Sequence, residues 1–139
     1  MFLPIGDAPN PKDYTPWVTY GLIAINVLIY VLFTLPMGQK IADGSTPGFS
    51  GYLIWLDGEA GLLAPGFDME RLIQKLGIQQ VGEALADQGL NVTGWDITVF
   101  EHGYRPSNPQ FLDLFSSMFM HAGFMHLAGN MLFLWIYGD

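Results

Sequence analysis

This sequence predicts an all-α membrane protein in which two transmembrane helices are joined by a long, partly helical loop. Three observations carry that expectation. Half of the 139 residues are apolar before the 17 glycines are counted, and only 13% are charged, about half the usual share. The apolar residues gather in two blocks, Trp17–Leu35 and Phe111–Tyr137. Asp113 is the one formal charge inside either block. The same arithmetic excludes other classes. Disordered chains are poor in aromatics and rich in charge, and this one is 14% aromatic. A net charge of −8 with five basic residues is wrong for nucleic acid, whose phosphates must be met by Lys and Arg. With no Cys there is no disulfide framework, thiolate metal site or Cys nucleophile.

Residues 1–16 read as an amino-terminal tail. Its Asp7, Lys12 and Asp13, and the lack of a small-x-small pattern after the next apolar block, argue against a cleaved signal peptide. Residues 17–35 read as the first transmembrane helix. At 1.5 Å per residue they reach about 28 Å, close to a hydrocarbon core of about 30 Å. Trp17, Tyr20 and Phe33 sit near its ends, where interfacial aromatics gather. Pro16 suits the first turn, and Pro36 with Gly38 suits the exit.

Residues 36–110 form the loop and hold most of the charge. Met69, Leu72, Ile73, Leu76, Val81 and Leu85 recur with a helical rhythm, with Gly77 and Gly82 as weak points. An amphipathic helix or helix pair is therefore expected near 68–88, lying on protein or on the membrane surface; core packing explains the stripe equally well. Trp95–Phe100 reads as a short β-like run, and Arg105–Pro109 as a turn. The Asn91-Val92-Thr93 sequon reads as chance. Lys12, Lys40 and Arg105 flank both blocks, so charge does not orient the spans.

Residues 111–139 read as a lead-in and the second transmembrane helix. Were the whole block one helix, His126 and Asn130 would share a face, about 40° apart, and His121 would lie on the far side. A helix starting near Gly123, with His121 in the preceding turn, avoids facing a polar group to lipid. From there to Asp139 the helix reaches about 25 Å, short of a comfortable crossing.

His121, His126 and Asn130 are the residues in which chemistry is concentrated. A metal site is disfavoured, because zinc sites on one helix face want His at i and i+4, and here they are at 121 and 126. Polar residues binding helices together are one alternative. An anion-stabilising pair is the other: an imidazole N–H and a carboxamide NH₂ on one face can converge on a developing oxyanion. No cofactor or metal is expected.

The segment His121-Ala122-Gly123-Phe124-Met125-His126-Leu127-Ala128-Gly129-Asn130, continuing MLFLWIYGD, resembles the second transmembrane helix of rhomboid intramembrane serine proteases. The lead-in FLDLFSSMFM, the opening P-I-G-D-A-P-N-P and Ile25-Asn26-Val27 in the first block resemble the family as well. The resemblance implies a six-span bundle, here incomplete, that holds a Ser–His dyad below the membrane surface. It implies that His126 and Asn130 stabilise the oxyanion and that His121 supports the entrance to the site. It also implies a lipid bilayer and transmembrane protein substrates as partners, and a bacterial inner membrane with the amino terminus cytoplasmic.

The family's nucleophile, in G-x-S-G, and its base both follow the second span. Gly48-Phe49-Ser50-Gly51 matches the string but precedes that span, so Ser50 reads as a turn residue, and His102 is no better as a base. Neither Trp55 nor Trp95 is followed by the Arg common in the family's loop. The expectation is a chain cut short within or just after the second span, with no nucleophile or base of its own and inactive alone. The alternative is a non-catalytic two-span protein, or an inert remnant, that binds transmembrane segments.

Overall fold

The computed structural model describes residues 14–58 and 68–138. The tail expected over 1–16 lies outside the described residues as far as residue 13, and so does Asp139. The described residues are helical, and no strand forms among them beyond one isolated bridge, Ile41 to Thr93. They fall into two compact units, one drawn from Met1–Leu35 and Met118–Asp139, the other from Pro36–Ser117.

The first unit is built on α1, which belongs to a continuous helix running Trp17–Gln39, and on α7, Phe124–Tyr137. Among the described residues, α1 alone is long and apolar enough to cross a membrane, with a mean hydropathy of 2.1. Helix α7 is apolar but has 14 residues, about 21 Å of rise. The expected stop at Pro36 does not occur. Tyr30–Thr34 forms a π-helical turn in which the Leu35 N–H donates to Tyr30 O, five residues back. The widened turn comes just before the residue that has no N–H to give, and the helix continues through Pro36 to Gln39.

The burial pattern of α1 is inverted with respect to a water-soluble helix. Its buried residues are Thr19, Asn26, Tyr30 and Thr34, all bearing polar groups and lying on one stripe. Val18, Ile25, Leu28, Val31, Leu32 and Phe33 are exposed. Helix α7 packs against α1, and the Thr19 hydroxyl donates to Gly138 O.

The second unit holds α2 (Phe49–Gly58), α3 (Met69–Leu76), α4 (Ile78–Asp87), α5 (Gly94–His102) and α6 (Phe111–Ser117). Its core gathers Ala42, Phe49, Leu53, Leu56, Met69, Val81, Val92 and Ile97. Asp68 caps α3 by accepting from Arg71 N–H at 2.9 Å, and Asp57 at the end of α2 accepts from Met69 N–H at 2.8 Å. The stripe over 68–88 is a helix pair: Met69 and Val81 belong to this core and Leu72, Ile73 and Leu85 pack against it, whereas Leu76 is exposed. Gly77 separates the two helices with φ +85° and ψ 148°, a conformation essentially restricted to glycine. Gly82 lets α4 approach Phe49, since a Cβ there would sit 3.1 Å from the ring. Before α2, Asp43 makes a turn by accepting from Ser45 Oγ at 2.6 Å and Ser45 N at 2.9 Å. Chiefly through the Ser45 hydroxyl, these bonds hold its carboxyl below the ordinary Asp range.

The β-like run expected at Trp95–Phe100 is a helix instead. Thr93 and Asp96 form a capping box: Thr93 Oγ1 accepts from Asp96 N–H, and Asp96 Oδ2 accepts from Thr93 N–H at 2.8 Å. Val92 and Ile97, which bracket the cap, are both buried in the core, the positions of a hydrophobic staple. Two satisfied donors and a buried apolar pair outweigh the β-propensity of Ile97, Thr98 and Val99. Phe100 packs edge-to-face on Tyr52 and tilted against Trp55, at 5.8 and 5.5 Å between centroids. The Arg105 guanidinium lies 4.5 Å from the centroid of the Phe100 ring, so the loop brings Arg and Trp to one aromatic cluster without placing them side by side in sequence.

Candidate functional site

The site residues expected from the sequence all lie in the first unit. Helix α7 begins after Gly123, whose extended backbone ends the preceding turn, and His126 and Asn130 follow one helical turn apart. Asn130 Nδ2 lies 3.3 Å from His126 Nε2, so with His126 in its Nδ1–H tautomer the carboxamide donates to the ring. Both side chains are on the exposed side of the helix.

His121 sits in the turn before α7, not on the helix. That placement reverses the geometry of a continuous helix: the His121 ring is 5.4 Å from the His126 ring, at 53°. His121 is buried, at 2% exposure. Its Nδ1 is 3.2 Å from Phe119 O, so Nδ1 carries the proton and Nε2 is left as an acceptor. Three polar side chains therefore converge at the start of an apolar helix, and beyond the contact between them His126 keeps its Nδ1–H and Asn130 its second amide N–H to donate. Such a pair can hold developing negative charge on a substrate oxygen, because donors fixed in advance cost no reorganisation as the charge forms.

Beside this set, α1 and α7 enclose a groove of about 400 Å³ whose lining includes Leu22, Asn26, His121, Asn130 and Phe133. Asn26 belongs to the same polar environment, although the residue pattern singled it out only as part of Ile25-Asn26-Val27. The signal was present: an amide inside an otherwise uncharged apolar block must find a partner.

Ser50 and His102 do not join them. Both belong to the second unit, Ser50 in the first turn of α2 and not in the loop expected for it, His102 at the last position of α5. Both are exposed. The backbone O of His102 accepts from Ser116 Oγ, a contact that links α5 to α6. Among the described residues, no three side chains of the kinds that ligate metals gather together.

The rhomboid domain family model matches residues 108–139, a stretch that contains His121, His126, Asn130 and all of α7. It is the family that the His–His–Asn motif resembles. No curated protein and no solved structure matches the chain.

Proposed function

We propose that this chain supplies the oxyanion-stabilising part of a rhomboid-type intramembrane serine protease, with His126 and Asn130 as the donors and His121 supporting the site. The observation that carries the reading is the His126–Asn130 pair, 3.3 Å apart, with the His121 ring packed at 5.4 Å, inside the rhomboid-matching segment. The inverted burial of α1 supports a lipid environment, because it turns apolar side chains outward and polar ones inward. In this reading α7 is the second span, and the complete bundle has six. The membrane is a bacterial inner membrane with the amino terminus on the cytoplasmic side, and the substrates are transmembrane proteins.

Peptide hydrolysis by this family's chemistry needs a serine nucleophile and a histidine base, which act as one unit with the oxyanion donors. Ser50 and His102 do not supply them in this reading, and the chain alone has no protease activity. The dyad comes from residues beyond these 139, on the same polypeptide or on another.

The test begins with the DNA that follows the codon for Asp139, where a segment encoding G-x-S-G and a later His is expected in one of the frames. Produced together with that segment, the chain should label with a fluorophosphonate and cleave a transmembrane substrate. Asn130→Ala should then slow cleavage about 10²–10³-fold, the usual cost of removing one oxyanion donor. An unchanged rate in Asn130→Ala sinks the assignment. Absence of any such segment favours the non-catalytic protein that binds transmembrane segments. Fluorophosphonate labelling of the 139-residue chain alone, abolished by Ser50→Ala, would overturn its inactivity.

A further inference from the structure

The polar stripe of α1 contains an acceptor that none of the described residues satisfies. Asn26 is 5% exposed, and its Nδ2 donates to Leu22 O at 2.8 Å. That bond settles the orientation of the amide, since a flip would set two oxygens at the same separation. Asn26 Oδ1 therefore remains the acceptor, buried and without a hydrogen-bond partner among the described residues, a state that native proteins rarely leave unexplained. Asn26 lines the groove that also receives His121 and Asn130.

The two neighbours have matching needs. Asn130 spends one amide N–H on His126 Nε2 and has a second to give. His121, protonated at Nδ1 by its bond to Phe119 O, offers Nε2 as an acceptor. A groove of about 400 Å³ has room for a water, whose share of liquid volume is about 30 Å³ and which typically makes about three hydrogen bonds when buried. One donor and two acceptors are what such a water requires.

We propose that Asn26 is a positioning residue for the Asn130 carboxamide, acting through a water held in this groove. The water donates to Asn26 Oδ1 and His121 Nε2 and accepts the second N–H of Asn130. Asn26 thereby limits rotation of the Asn130 amide, keeping its first N–H on His126 and its second directed into the groove, where a substrate oxygen takes the water's place as acceptor. The consequence for catalysis rests on the oxyanion role proposed above; the water site itself does not.

Nuclear magnetic resonance on the full chain in detergent micelles, with ¹⁵N-labelled asparagine, tests the site without any proteolysis. The unsubstituted chain should show a cross-peak between bound water and the Asn130 side-chain NH₂. Asn26→Leu, similar in volume but lacking the acceptor, should abolish it and move the Asn130 side-chain ¹⁵N signal. Asn26→Asp, which keeps an oxygen able to accept at this position, should retain it. Absence of the cross-peak from the unsubstituted chain overturns the proposal, and so does its survival in Asn26→Leu. Should Asn26→Leu fail to fold, the unsubstituted chain and Asn26→Asp still decide the matter. A cross-peak that behaves as expected, alongside an inactive reconstituted protease, would leave the water site standing and remove the oxyanion assignment.

Discussion

Thr93 shows how one side chain can decide between helix and strand. The residues after it, Trp95, Ile97, Thr98, Val99 and Phe100, are types favoured in strands, and read alone they point to β-structure. Thr93 and Asp96 stand at the spacing of a capping box, which satisfies two backbone donors at the helix start and commits the segment to α5. Thr93→Ala should lower stability by about 1 kcal/mol, the usual cost of losing such a cap. Chemical denaturation followed by circular dichroism measures it, and an unchanged midpoint would mean that tertiary packing alone sets this helix. At the same scale, the four-residue separation of His126 and Asn130 made their shared face readable from sequence. The contact of His121 with His126 did not follow from spacing, because it depends on the chain turning before Gly123.

Between elements, glycines act by position. The helical rhythm over 68–88 was legible, with Gly77 and Gly82 as its irregularities, but the two have opposite uses. Gly77 takes a backbone conformation that an L side chain adopts only under strain and so divides α3 from α4. Gly82 stays helical and admits the Phe49 ring. Gly77→Ala should therefore cost about 1–3 kcal/mol, although a Cβ there meets no atom within 4 Å. A stability equal to that of the unsubstituted chain would show that the break tolerates ordinary backbone angles. Pro36 teaches a related point about α1. A proline is a fair stop signal, but the π-helical turn before it removes the conflict, and the helix runs on to Gln39.

For the molecule as a whole, the inverted surface of α1 is the feature with the largest consequence. In a water-soluble fold, exposed positions tolerate charge, and substitutions there usually change stability by less than about 0.5 kcal/mol. In a bilayer, a lysine at the centre of a span costs about 2.5–3.5 kcal/mol on insertion scales. Leu28 is 56% exposed, so Leu28→Lys separates the two environments. The lipid reading expects the variant to be recovered largely outside the membrane fraction after alkaline extraction, where the unsubstituted chain stays with it. Equal retention of both would count against α1 as a lipid-facing span.

The amino-acid pattern by itself determined that this is a helical, apolar, charge-poor chain, that Trp17 begins a helix of bilayer length, and that His126 and Asn130 share a face. Those properties follow from local periodicity and from which residues are missing, so no neighbour need be known. Only the tertiary structure decided that α1 buries its polar stripe, that the turn before α7 brings His121 against His126, and that Asn26 Oδ1 is left without a partner among the described residues beside them. Each of these depends on which face of one helix meets another element of the fold. Burial and unmet hydrogen bonds are properties of such encounters, and a one-dimensional pattern does not contain them.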